Sequence, residues 1–245
     1  MSGIVDNYNL VISSVSNFVN IIFNSVISSF GNLIVTESRE KQYSMFCVYR
    51  FFASWIYGFS AVGFYILLTP LIQLWLGEKW ILPGVVVAAV LVDYYFKGER
   101  VVLSNFKTAA GVFEQDKYLP LVQGAVNLII SVVLAIKIGL IGVYIGTIVS
   151  GLLANIIRPI IIYRVCFERN AAGYFYDTVR YSAVIILATV CCILCGNIFM
   201  KEVTITSFSV MIVIITVVFN KTAEFKYLFE IFRDKAYAVI NRLHH

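Results

Sequence analysis

Charge is scarce in this chain. Its 245 residues include 19 lysines and arginines and 14 aspartates and glutamates, 13% in all, where a soluble domain carries roughly a quarter. So few charges cannot cover a water-facing surface. Histidine is confined to His244 and His245 at the C-terminus, which leaves no imidazole inside the chain for a metal or for general base work. The sequence has no Walker-type phosphate loop, so ATP hydrolysis by this chain is not expected. Apolar stretches hold no acidic pair, and Asp93 is read as the one carboxylate within a span. The N-terminus lacks the basic segment of a cleavable signal peptide. No enzyme site and no cofactor is expected from these residues.

What is abundant is apolar length. The chain is 60% hydrophobic with a mean hydropathy of +0.86, and its apolar residues fall in blocks of about 20, the length that crosses a hydrocarbon core roughly 30 Å thick. Inside lipid every backbone N–H and C=O needs an internal partner, and blocks this long and continuous read as helices rather than barrel strands. The pattern predicts an all-α polytopic membrane bundle of about seven helices, over residues 4–35, 43–68, 82–106, 120–136, 140–165, 177–200 and 203–219. Residues 1–220 form the membrane bundle in this reading. Residues 221–245 form a tail with Phe225, Leu228, Phe229, Phe232, Tyr237 and Ile240 at helical spacing, as in an interfacial amphipathic helix.

The net charge of +5 does not gather into a nucleic-acid surface. Fourteen cations fall in one set of loops and the tail: Arg39, Lys41, Lys97, Arg100, Lys107, Lys117, Arg164, Arg169, Arg180, Lys221, Lys226, Arg233, Lys235 and Arg242. The opposite set has three, Lys79, Lys137 and Lys201, with Arg50 and Arg158 inside helices. The positive-inside rule then puts the C-terminus in the cytoplasm and, with seven spans, the N-terminus outside. The first helix is the least hydrophobic and has no basic residue near its start. The expectation is a rear portion of a longer transporter, or a chain that works beside a partner holding the rest. Five cysteines are present, Cys47, Cys166, Cys191, Cys192 and Cys195. The last three form CCxxC in an apolar run without a fourth ligand, and are read as packed thiols rather than a metal site.

Several residues have chemistry to offer. Asn9, Ser13, Asn17, Asn20, Asn24, Ser28 and Asn32 recur every three or four residues and place amides and hydroxyls on one broad helix face. Lipid would penalise them, so they face protein or water: either the wall of a hydrated cavity, with Asn17, Asn20 and Asn24 binding sugar hydroxyls or phosphate oxygens, or packing between helices. Arg50 reads as a phosphate-binding guanidinium or as a side chain snorkelling to the interface. Asp93, Lys97 and Arg100, spaced by four and three, read as an ion-paired cluster that is structural or that meets a diphosphate at the cytoplasmic mouth. Arg158-Pro159 marks a candidate kink. Gly142-xxx-Gly146 marks close helix packing.

Five segments then carry a family resemblance. Ser28-Ser29-Phe30-Gly31-Asn32-Leu33-Ile34 leads into a charged 37–41 loop. Pro70-Leu71-Ile72-Gln73-Leu74-Trp75-Leu76-Gly77 follows, then Ala109-Ala110-Gly111-Val112-Phe113 before Asp116-Lys117-Tyr118, and last Gly139-Leu140-Ile141-Gly142-Val143-Tyr144-Ile145-Gly146-Thr147. In this order they resemble the C-terminal half of the oligosaccharide flippases (Wzx type), the polysaccharide-transporter branch of the MATE-like exporter superfamily. The resemblance implies the rear lobe of a two-lobed transporter in the bacterial cytoplasmic membrane. It implies a cargo of undecaprenyl-diphosphate-linked oligosaccharide, with membrane lipids, a second lobe and polysaccharide assembly proteins as partners. It would place Asn17, Asn20, Asn24, Arg50, Asp93, Lys97 and Arg100 along the substrate path. A drug or lipid II exporter, a membrane polysaccharide polymerase and an inactive remnant remain as alternatives.

Overall fold

The computed structural model describes residues 2–198, 212–213 and 216–243. Eight α-helices account for most of them: α1 (Ser2–Asn24), α2 (Ile27–Thr36), α3 (Arg39–Leu76), α4 (Gly84–Ala110), α5 (Leu119–Ile138), α6 (Leu140–Cys166), α7 (Ala172–Ile198) and α8 (Ala223–Leu243). There is no strand among the described residues.

The stretch read as one first span is two helices. Ser25 turns its hydroxyl onto the Ile22 carbonyl at 2.7 Å, a local bond that competes with the helix ladder, and the chain shifts before α2 begins. The open carbonyls at the end of α2 are then met by Gln42, whose Nε2 donates to Ile34 O at 3.2 Å and Glu37 O at 2.9 Å. Ser38 caps α3 by accepting from the Lys41 N–H at 3.4 Å. α3 outruns its expected 43–68 stretch at both ends. It passes through Pro70 and stops at Gly77, whose φ of +90° suits glycine. At 38 residues it is about 57 Å long, nearly twice the hydrocarbon thickness.

Five stretches are long and apolar enough to cross a membrane: Gly3–Thr36, Arg39–Leu76, Glu114–Ile138, Leu140–Cys166 and Ala172–Ile193. α4 is also long, at 27 residues, but carries five charged residues, Asp93, Lys97, Glu99, Arg100 and Lys107. The 203–219 span lies largely outside the described residues, and so do the side chains of Cys195, Phe232, Tyr237 and Ile240.

α4 is the centre of the bundle, packing on α3, α6, α2 and α1. Its Gly98 sits directly under the Tyr57 ring, where a Cβ would overlap ring atoms. Phe30, Phe46, Phe106, Tyr163 and Phe167 join α2, α3, α4 and the end of α6 through edge-on ring contacts and one tilted pair, Phe106–Phe167. α5 is an outer helix that packs on α6 alone to any extent, and it turns Leu121, Leu128, Ile129 and Ile136 outward. α7 and α8 both pack on α3.

Candidate functional site

α1 has three faces. Val5, Tyr8, Ile12, Val19 and Phe23 are buried against α3 and α4, while Leu10, Phe18 and Ile21 are exposed and apolar. Between these lies an exposed polar stripe of Asp6, Asn9, Ser13, Asn17 and Asn24. Each amide left in hydrocarbon without a partner costs roughly 2–7 kcal/mol. The stripe therefore requires water or another polar surface. Asn20 is the half-buried member, and its Oδ1 accepts from the Tyr57 hydroxyl at 2.5 Å.

The stripe meets α6 and α4 near its N-terminal end. Tyr144 of α6 reaches Asn9, with Asp6 and Asp93 beside it. α1 and α6 both pack on α4 but not appreciably on each other, and Lys97 of α4 lies in the opening with a side chain 59% exposed. Its Nζ donates to the buried Asp93 Oδ2 at 2.6 Å. One turn further, Arg100 leans onto α6, where its guanidinium meets Asn155 Oδ1 at 3.4 Å and lies over Gly151. The row continues through Ser104 to Lys107. Asp116 ties this end together: it accepts from Lys107 Nζ at 2.9 Å and from Arg158 Nε at 3.2 Å. Arg158 also donates to Ser104 Oγ at 3.3 Å. α6 runs unbroken through Pro159, and Arg158 there is an anchor for the Asp116 loop.

The structure thus brings Asp93, Lys97 and Arg100 to one side of α4 and sets Asn17, Asn20 and Asn24 along α1. Arg50 is elsewhere. It is buried between α3, α4 and α7, where it donates to the Tyr174 carbonyl at 2.8 Å and to Thr178 Oγ1 at 2.5 Å. Its guanidinium lies 3.6 Å from the Tyr174 ring centroid. Two carboxylates oppose it at 3.7 Å, Glu99 and Asp177. Glu99 also accepts from the Ser54 hydroxyl. These groups surround the guanidinium and leave it facing protein, with its Nε and Glu99 Oε2 paired by charge at 3.7 Å rather than by a hydrogen bond.

Glu99 is a buried carboxylate within a helical span that the sequence reading passes over. Two residues beyond Lys97, it points to the far side of α4. A signal for the pair was present in the sequence: Arg50 lies eleven residues after Arg39 and Glu99 eleven residues before Ala110. Antiparallel neighbours place such positions at the same depth. Among the described residues no group of three His, Cys, Asp or Glu side chains could hold a metal ion.

Helices of this length and apolarity define the class: an all-α membrane helix bundle that passes the membrane several times. Comparison with protein-family profiles, curated proteins and solved structures finds no match.

Proposed function

We propose that this chain is one lobe of a transporter that carries a polar head group across the bilayer. The α1 stripe and the Lys97 side of α4 form the hydrated wall of its path. The observation that carries this reading is the run of exposed Asp6, Asn9, Ser13, Asn17 and Asn24 on a helix whose other exposed face is apolar. A polar stripe at this depth needs a wet cavity, and a head group too polar for lipid needs the same thing. Lys97 offers an ammonium to a phosphate, and Asn17 and Asn24 offer amides to hydroxyls. The resemblance to oligosaccharide flippases specifies the cargo: an undecaprenyl-diphosphate-linked repeat unit, moved from the inner to the outer leaflet of the bacterial cytoplasmic membrane while its lipid tail stays in the bilayer. The excess of cations at one end puts the C-terminus in the cytoplasm. Access would alternate by rocking of this lobe against a second one.

Lys97→Ala and Asn17→Ala, each in the assembled transporter in cells, are expected to lower export of repeat units several-fold at unchanged protein level. Export at the parental rate in both variants would remove the α1–α4 face from the transport path. Asn20 is less informative here, since its amide also holds Tyr57. Arg50→Ala bears on stability rather than on transport, because the partners of Arg50 lie within the bundle.

A further inference from the structure

A second polar–apolar juxtaposition lies on the far side of α3, independent of the transport reading. α8 packs on α3 through Phe225, 6.5 Å from the Phe51 ring. Between them is an open cavity of about 460 Å³, walled by Phe51 and Trp55 of α3, Asn220, and Lys226, Leu228 and Phe229 of α8. Its walls are mostly apolar, with Thr216, Asn220 and Lys226 as the polar members of the lining.

The depth of this cavity follows from the length of α3. Trp75 is exposed near the other end of that helix, where an aromatic residue marks the membrane–water boundary. About 20 residues span the hydrocarbon core, which brings the opposite boundary to Trp55. The cavity is therefore level with lipid head groups at the cation-rich end of the bundle.

Its charge has a sign. Lys226 lines the cavity and Lys221 lies five residues earlier, in the turn that leads into α8, both exposed and neither in an ion pair among the described residues. Arg180 of α7 is close by, with its guanidinium 4.8 Å from the Phe219 ring and donating to the Val218 carbonyl at 3.5 Å. No acid lines the cavity among the described residues; Glu224 and Glu230 lie on the same helix as Lys226, and Asp177 is drawn toward Arg50. Phe229, 61% exposed, continues the apolar wall outward from Lys226.

We propose that this cavity seats one anionic phospholipid of the adjoining leaflet, its phosphate at Lys226 and Lys221 and the start of an acyl chain against Phe51, Leu228 and Phe229. A zwitterionic lipid fills the same apolar wall but brings its own cation to a rim that is already positive. A free anion has no use for the wall. Cations near a membrane surface favour anionic lipid, and each is expected to contribute a preference of about five-fold.

Trp55 reports on the site directly. The chain has three tryptophans, and Trp75→Phe with Trp80→Phe leaves Trp55 as the sole emitter. The 245-residue protein is reconstituted in vesicles containing either brominated phosphatidylglycerol or brominated phosphatidylcholine at equal mole fraction. Quenching is expected to be several-fold stronger per brominated phosphatidylglycerol. The excess should disappear in Lys226→Glu, shrink in the milder Lys226→Gln, and persist in millimolar inorganic phosphate. Equal quenching by the two lipids before any lysine is changed would overturn the proposal, whatever the variants do. So would selectivity that survives both lysine variants. Loss of selectivity to inorganic phosphate would instead assign a free-anion site and overturn the lipid.

Discussion

Arg50→Ala is expected to lower stability by about 3–5 kcal/mol, the range for removing one partner of a buried ion pair. The reason is what remains. Glu99, with a side chain 2% exposed, loses its cation, and the Tyr174 carbonyl and Thr178 hydroxyl lose a donor. Asp177 is a third exposed and can turn to water, so Glu99 accounts for most of the loss. The measurement is the thermal unfolding midpoint of the purified protein in detergent. Removing both charges together, as Arg50→Met with Glu99→Met, is expected to recover most of the lost stability, since apolar residues of similar volume often replace a buried pair without cost. An unchanged midpoint in Arg50→Ala would mean that the guanidinium is not held among these groups. A double variant no better than the single would point to the hydrogen bonds on α7 rather than to Glu99.

Gly142→Ala is the second large effect. α5 and α6 approach so closely that a Cβ at Gly142 would overlap the carbonyl group of Leu134, with the Ala135 nitrogen at 2.8 Å. Backbone cannot rotate away as a side chain can, so the helices must separate. That opens the contacts along the pair, including Asn127 Nδ2 to Ser150 Oγ at 3.0 Å and Ser131 Oγ to the Val143 carbonyl at 3.3 Å. Overpacking of this kind costs about 1–3 kcal/mol, and the upper end applies where the neighbour is main chain. Gly124→Ala on α5 is the control: nothing lies near its Cβ position, and alanine improves helix propensity by up to about 1 kcal/mol. The two variants should move the midpoint in opposite directions. Equal midpoints would show that the α5–α6 contact is loose.

Continuous apolar length made α5 and α6 legible, since Leu119–Ile138 and Leu140–Cys166 lie close to the 120–136 and 140–165 stretches. The polar face of α1 was legible because its spacing is local. The break at residues 24–26 was not, since it depends on a serine hydroxyl turning onto its own helix. The reach of α3 through Pro70 was hidden because proline marks helix ends in water, whereas membrane helices tolerate it. The role of Arg50 required knowing which helix lies against it. Its partners Tyr174, Thr178 and Asp177 come from α7, more than 120 residues on. Asp116 stands out in the sequence only as part of a segment, and its bridge between Lys107 and Arg158 exists only once α4 and α6 are side by side.

The α5–α6 hairpin also bears on how the protein is made. The connection between the two helices is Gly139, with a φ of +67°, and no slack remains for them to enter the bilayer at different times or depths. Asn127 finds its partners, Thr147 and Ser150, on the opposite arm. If α5 left the insertion machinery alone, the Nδ2 of that amide would meet hydrocarbon without these acceptors. Entry of the two arms as one pre-paired unit keeps the Asn127 bonds made, and such entry requires α5 to wait for the synthesis of α6.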